Sequence, residues 1–148
     1  MRRSDSIAIL IAVFMVLGFC NNVHAEITTV TVPFEDSKWL SVELRIGGVE
    51  ITNIILVPPG NKGVIRLPRG NDPQARVNIK NNSEVKANDI GIAVALLDAQ
   101  GKLIGVASGK TGKIPPGQID EITMPFKNVN TFFMEAADIL ISMESESF

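Results

Sequence analysis

Hydrophobic and polar residues alternate with a period of two in the first part of the chain after residue 25. Residues 27–34 place Val30, Val32 and Phe34 on one face, and Trp39–Ile46 repeats the alternation. Successive side chains of a strand point to opposite faces, so both segments are predicted to be half-buried strands. Gly47 and Gly48 then provide the conformational freedom that a tight hairpin into Val49–Val57 requires.

Short runs of β-branched residues, separated by Gly, Pro and Asn, predict further strands along the rest of the chain. These runs cover residues 63–67, 75–80, 90–97, 102–108, 119–126 and 137–143. The run 90–97 is the most hydrophobic, which favours a central place in a sheet. Residues 131–136 are ambiguous and could hold one helical turn. No long helical periodicity is present, so the pattern predicts an all-β sandwich or barrel.

The first 25 residues have the three parts of a secretory signal peptide in order. Arg2 and Arg3 form a basic start, residues 7–19 are apolar, and Ala25 ends a small-residue cleavage site. The apolar run of about 13 residues is shorter than the roughly 20 that a membrane-spanning helix needs. We therefore expect a signal-peptide helix at 1–25, a single β-sandwich domain at 26–148, and a protein that is periplasmic or secreted. A retained anchor and a lipid attached at Cys20 are the alternatives.

Cleavage after Ala25 would remove most of the chemically reactive side chains. Cys20 and His24 are the only residues of their types, and Tyr is absent. These side chains carry out most nucleophilic, redox and near-neutral acid–base chemistry and bind transition metals. Residues 26–148 carry 12 basic and 15 acidic side chains, which disfavours nucleic-acid binding. The composition predicts a non-enzymatic domain without cofactor or metal, with no disulfides and no stable membrane span after cleavage.

A series of turn motifs between residues 77 and 118 accompanies the predicted strands. One strand ends in Asn-Asn-Ser at 81–83, the next in an aliphatic-Asp pair at 97–98, a turn follows at Gly101, and Pro-Gly-Gln stands at 116–118. The order of these motifs resembles the FxLYD-type, immunoglobulin-like domains of bacterial envelope proteins.

The resemblance covers about a third of residues 26–148 and departs from the family in its name motif. Phe-x-Leu-Tyr-Asp corresponds to residues 94–98, where Leu96 and Asp98 match. The resemblance implies an immunoglobulin-like antiparallel β-sandwich of about seven to nine strands. Such domains are mostly binding or spacer modules, so the resemblance implies little about activity.

Short polar side chains near the predicted turns suggest a calcium site as one interpretation. Asp98 would supply a carboxylate, and nearby oxygen ligands would come from Asn81, Asn82, Asn88 and Asp89. The other interpretation is that these side chains hydrogen-bond to their own backbone in turns. The sequence favours turns, because it lacks the spaced ligands of a dedicated calcium loop.

Adjacent carboxylates at Glu35-Asp36 and at Asp120-Glu121 suggest glycoside hydrolysis as a second chemistry to consider. That reaction needs two acids on either side of a sugar, about 5 to 10 Å apart. Neighbouring residues of a strand face opposite ways, so neither pair is expected to cooperate. We expect solvated charges there, and a flexible acidic tail at 144–147.

Aromatic side chains are few, so the chain offers few of the flat surfaces on which carbohydrates usually bind. One aromatic dipeptide nevertheless stands out. Phe34 and Phe126 lie in alternating strands and are expected in the core. Phe132 and Phe133 would face opposite ways in an extended segment, so one of them is a candidate partner anchor.

Taken together, these features predict an exported module that acts through protein–protein contacts in the bacterial cell envelope. The loops 58–62, 81–89 and 110–117 are expected at one end of the sandwich, and either these loops or an exposed edge strand would form the contact. The alternatives are a structural fibre or pilus-like subunit whose strand 27–34 adds to a neighbour's sheet, and a calcium- or carbohydrate-binding domain. Self-association is thus possible. The contact candidates are Phe132, Phe133, Pro59, Asn82 and Pro116.

Overall fold

Eight strands and one 3₁₀ turn make up the computed structural model, which describes residues 25–60, 72–129 and 132–146. The strands are β1 (Ala25–Pro33), β2 (Trp39–Ile46), β3 (Val49–Val57), β4 (Gln74–Asn81), β5 (Gly91–Leu97), β6 (Leu103–Lys110), β7 (Ile119–Pro125) and β8 (Asp138–Glu146). The 3₁₀ turn is Phe133–Glu135. The predicted signal peptide, apart from Ala25, and the predicted strand 63–67 lie outside the described residues.

The strands form two antiparallel sheets of four strands each. The first sheet has the order β1-β8-β5-β6, and the second sheet has the order β2-β3-β4-β7. Their inner faces meet in one hydrophobic core, in which Val94 and Ile141 of the first sheet and Ile51 and Val77 of the second have no exposed surface. Burial of alternate residues from both sheets is the packing of a sandwich, so the predicted β-sandwich is confirmed.

The hairpin of the second sheet has the bounds that the alternation predicts. β2 and β3 end and begin on either side of Gly47 and Gly48, and Gly47 has a φ of 54°. A φ in this left-handed region is strained for residues with a Cβ, which is why glycine suits the turn. The prediction of a central strand at 90–97 is also confirmed, since β5 lies between β8 and β6.

A β-bulge in the second sheet changes which residues of β3 face the core. Ile51 pairs with Ile79 of β4, but Asn53 pairs with Asn78, so Thr52 is an extra residue. Thr52 donates its hydroxyl hydrogen to the Asn78 carbonyl over 3.3 Å. The bulge shifts the alternation by one residue, and Ile54 as well as Ile51 is therefore buried.

The acidic tail predicted at 144–147 is wrong for residues 144–146, which continue β8. Glu144 is paired with Ile27 of β1 on one side and with Gly91 of β5 on the other. Ser145 continues the inward face of Ile141 and Met143 and is buried. β5 extends the ladder to Glu144 and β1 extends it to Glu146 despite the charge of this segment, because alternate side chains of a strand can face solvent.

The registers divide the loops between the two ends of the sandwich. At one end, Val49 pairs with Asn81 and Lys80 pairs with Ile119; at the other, Gln74 pairs with both Val57 and Pro125. We call the first the polar end, which comprises the turn 47–48 and the loops 82–90 and 111–118. The second is the aromatic end, which comprises 34–38, 58–60, 98–102, 126–129 and 132–137.

The expectation that the three loops lie at one end is therefore wrong for 58–60. This segment follows the end of β3 at the aromatic end, whereas 81–89 and 110–117 adjoin each other at the polar end. Antiparallel pairing of β3 with β4 puts consecutive connections at opposite ends.

Within the described residues, no helix has the length and apolar character that crossing a membrane requires.

Candidate functional site

The polar end is organised by the buried amide of Asn81, the last residue of β4. Its Nδ2 donates to the carbonyls of Val85 at 2.8 Å and Ile114 at 2.9 Å. Its Oδ1 accepts from the backbone N–H of Ser83 at 2.9 Å and from the Ser83 hydroxyl at 2.7 Å. One amide thus joins two loops, and its polar atoms are satisfied within the protein. Asn81 supports the predicted turn chemistry.

The remaining contact candidates of this end lie on the same two loops. Asn82 donates its Nδ2 to Glu50 Oε2 over 3.0 Å and is exposed. Pro116 is exposed at the second position of a turn that the Gln118 N–H closes on the Pro115 carbonyl over 3.2 Å. Gly117 follows with a φ of 72°, as a Pro-Gly turn of this type requires.

Three phenylalanine rings close the aromatic end. The Phe133 ring meets Phe34 edge-on, with centroids 5.3 Å apart and planes at 78°, and meets Phe126 at 6.3 Å and 59°. Phe126 and Phe133 are fully buried, and Phe34 packs against the core. The core positions predicted for Phe34 and Phe126 are therefore confirmed. Edge-to-face ring pairs add stabilisation beyond burial. The rings thereby fix the connection from β7 to β8.

The side chains of Phe132 and Phe133 lie in different environments, as the sequence predicts. The backbone that carries them is not the extended one expected. The N–H groups of both residues point to the Val129 carbonyl, at 2.9 and 3.0 Å, and a 3₁₀ turn follows. Phe133 has no exposed surface, whereas 54% of Phe132 is exposed. Phe133 is therefore wrong as a contact residue, because its ring fills the core, and Phe132 is the exposed member of the pair.

Two further residues with large exposed side chains share the aromatic end and were not singled out by the sequence. Met134 lies in the 3₁₀ turn and is 61% exposed, and Leu103 begins β6 opposite Leu97 and is 56% exposed. Pro59 is half-buried at this end. The signal for Met134 was its position beside two phenylalanines in an unassigned segment. No local signal marks Leu103, because its position in the sheet depends on its pairing with Leu97 of β5.

The residues considered for calcium do not come together. Asp98 lies at the aromatic end, where its Oδ1 accepts the N–H groups of Gln100 at 2.9 Å and Lys102 at 2.8 Å. Asn81, Asn82, Asn88 and Asp89 belong to the polar end. Asp98 therefore stabilises its own hairpin turn. Within the described residues, no three His, Cys, Asp or Glu side chains are grouped as metal ligands would be.

The adjacent carboxylates are engaged in surface ion pairs or backbone contacts. Glu35 pairs with Lys38, and Glu121 pairs with Arg76. Asp120 accepts the backbone N–H of Glu121 over 2.9 Å. These contacts match the solvated charges that the sequence predicts. Such exposed pairs contribute about 0–1 kcal/mol each to stability.

The outer faces of the two sheets differ in charge. The second sheet carries the ion pairs Arg45–Glu50 and Arg76–Glu121 across its strands. One row of the first sheet instead consists of small uncharged residues, which are Thr29, Ser142, Ala93 and Ser108. At its polar end lies a shallow depression of about 290 Å³, with Gly91 beneath the Glu144 side chain.

A scan against protein-family models and searches of curated proteins and of solved structures found no match. Large apolar side chains are exposed at both ends of the sandwich, and at the aromatic end Phe132 and Met134 lie together on one short turn, which makes this turn a candidate binding surface.

Proposed function

We propose that this chain is an exported, non-enzymatic β-sandwich module that binds a partner protein in the bacterial cell envelope through its aromatic end. The observation that carries the proposal is the exposure of Phe132 and Met134 on one short turn. Exposed large apolar side chains on a fixed scaffold are typical of protein contact sites.

The turn presents these two side chains from a fixed position. Phe133 anchors it in the core against Phe34 and Phe126, so the backbone on either side of the anchor is held. A partner would then meet residues that are already ordered, which reduces the entropy lost on binding. The flexible thioether of Met134 can adapt to the partner's surface.

Charged side chains flank the apolar residues at the same end. Lys102, Lys127 and Glu135 are exposed. An apolar centre with a polar rim is the usual composition of a protein interface. Mixed charges also keep such a surface soluble when the partner is absent.

Export to the envelope is part of the proposal and is supported by the sequence. Residues 1–25 have the order of parts of a secretory signal, and residues 26–148 lack cysteine. A domain without disulfides depends on packing alone, which suits a bacterial periplasm or a secreted protein. The resemblance to FxLYD-type domains between residues 77 and 118 agrees with a binding module of immunoglobulin-like type.

Site-specific photocrosslinking in living bacteria tests this proposal. A photoreactive phenylalanine analogue at Phe132 should give one discrete crosslinked product in the envelope fraction, and Met134→Ser should weaken it. The matched control is the same analogue at Val85, which is 61% exposed at the polar end. Equal products from both positions, or none from Phe132, would contradict binding through the aromatic end.

A further inference from the structure

The edge strands of the two sheets differ in how they are protected against pairing with another chain. In the second sheet, β2 carries Glu43, Arg45 and an irregular register, and β7 carries Asp120, Glu121 and Pro125. Charges, bulges and prolines are the usual devices that keep exposed strand edges from associating. Both edges of the second sheet are therefore protected.

The edges of the first sheet carry these devices only near their ends. β6 has an irregular register with β5 beside Leu97 and ends in Lys110, but has no charged residue or proline from 103 to 109. β1 has Glu26 and Pro33 near its ends and neither charge nor proline from 27 to 32. Among the described residues, β1 forms a ladder only with β8, and β6 only with β5. Each strand thus presents one row of backbone groups that no other described strand pairs with. An edge of this kind can accept an additional strand.

The direction of these two strands matches them to each other. Each neighbour in the order β1-β8-β5-β6 is antiparallel, so β6 runs opposite to β1. A second copy displaced sideways in the same orientation would place its β1 antiparallel to β6 of the first copy. The lengths also match, with nine residues in β1 and eight in β6.

Side chains at the edges are complementary when the rows of the sheet continue across the joint. The row Thr31–Leu140–Ala95–Val106 places Val106 opposite Thr31 of the next copy. The adjoining row places Ser108 opposite Thr29. These are favourable cross-strand pairs, and neither opposes like charges. At one end of the joint, Lys110 comes opposite Ile27 of the next copy, so this row also opposes no like charges.

We propose that copies of this chain join head to tail along the first sheet, with the outer edge of β6 pairing antiparallel to the outer edge of β1 in the next copy. The occupant of this edge is a second copy of the chain. The two joined surfaces are different, so the arrangement extends to a filament unless its rotation closes a ring. β1 remains paired with β8 in its own sheet throughout. This inference does not depend on the aromatic end.

Sedimentation velocity on the protein purified from expression of the full chain, from low micromolar to low millimolar concentration, tests the joint. The wild type should form a series of oligomers that grows with concentration. Val106→Lys with Thr31→Lys places two lysines opposite each other and should weaken association severalfold. Val106→Lys with Thr31→Glu places opposite charges there and should restore it. Val106 is 48% exposed and Thr31 is exposed on the outer face, so the fold should tolerate both changes.

The matched control changes the protected edges of the second sheet. Ser41→Lys with Thr123→Lys adds the same charge to exposed positions of β2 and β7 and should leave association unchanged. A monomer at all concentrations, or oligomers that stop at a dimer, would overturn the head-to-tail joint. So would equal association of the two Val106 pairs, because a joint elsewhere does not distinguish Thr31→Lys from Thr31→Glu.

Discussion

The two ends of this sandwich are closed by different kinds of interaction. At the polar end, the Asn81 amide joins two loops through directed hydrogen bonds. At the aromatic end, the rings of Phe34, Phe126 and Phe133 fill the space between the sheets. Hydrogen bonds need particular partners at particular distances, whereas apolar packing needs volume and shape. The residues of the polar end are therefore constrained by their hydrogen-bonding partners, and those of the aromatic end by the shape of the packed rings.

The difference bears on where the proposed contact residues lie. The polar side chains of Asn81 and Ser83 are used up within their own loops. In the aromatic end, one residue of the Phe132-Phe133 pair is enough to anchor the turn, so its neighbour is free of a structural role in the core. A ring cluster can thus hold a turn while leaving adjacent apolar side chains exposed for a partner.

Truncation of Phe133 should produce the largest loss of stability. Phe133→Ala removes a fully buried ring and its contacts with two others, and we expect a loss of about 3–5 kcal/mol in the free energy of unfolding. Urea denaturation measures it. Phe132→Ala is the matched control and should change stability by less than about 0.5 kcal/mol. Similar losses for both variants would contradict the separation of anchor from exposed neighbour.

Removal of the Asn81 amide should come next in size. Asn81→Ala leaves the carbonyls of Val85 and Ile114 without this donor, and we expect a loss of about 2–4 kcal/mol. The control Asn82→Ala removes one exposed hydrogen bond to Glu50 and should lose less than about 1 kcal/mol. If thermal denaturation gave equal losses for both, Asn81 would not be the organising residue of the polar end.

Close packing of the loops at the polar end predicts an intermediate effect. A Cβ at Gly48 would meet Ser83 at its side chain and backbone, which cannot rotate away. Gly48→Ala should therefore lose about 1–3 kcal/mol, as overpacked sites do. Gly112→Ala, on the neighbouring loop, meets open space and serves as the control. A neutral Gly48→Ala in urea unfolding would mean that the turn and the loop are not in contact.

Proline replacement should give the smallest effects and should be similar at both ends. Pro116 and Pro59 each precede a glycine of positive φ, Gly117 and Gly60. Replacing either proline with alanine should lose about 0.4–1 kcal/mol, mainly because the unfolded chain becomes more flexible. Differential scanning calorimetry of the two variants compares them. A much larger loss at one end would show that its proline also packs against the core.

The local alternation of residues predicted most of the strands but could not arrange them. β2 and β3 have the predicted bounds, because their hydrophobic period and the glycines between them are local signals. The place of 58–60 at the opposite end from 81–89 depends on strand pairing, which no local pattern contains. For the same reason, no local pattern showed that Leu103 is exposed at the start of β6.

The last strand shows how charge can hide a continuing pattern. Ile139, Ile141, Met143 and Ser145 all face inward, but Glu144 and Glu146 made the segment resemble a solvated tail. Pairing with β1 keeps the segment in the sheet as far as Glu146, and β5 also pairs with it at Glu144. At the candidate site, the sequence identified Phe132 and Phe133 as a pair with one exposed member. It left one helical turn open at 131–136, where the 3₁₀ turn Phe133–Glu135 lies, and the extended backbone expected for the pair is wrong.

The position of β8 has a consequence for how the chain acquires its structure during synthesis. β1 and β5 are both made earlier, yet β8 lies between them and is the only described strand that pairs with β1. While the residues of β8 are still within the ribosome, β1 lacks the strand with which it pairs and the first sheet cannot close. Contacts between distant parts of a chain form late and slowly. Closure of the first sheet therefore waits until the residues of β8 have been made.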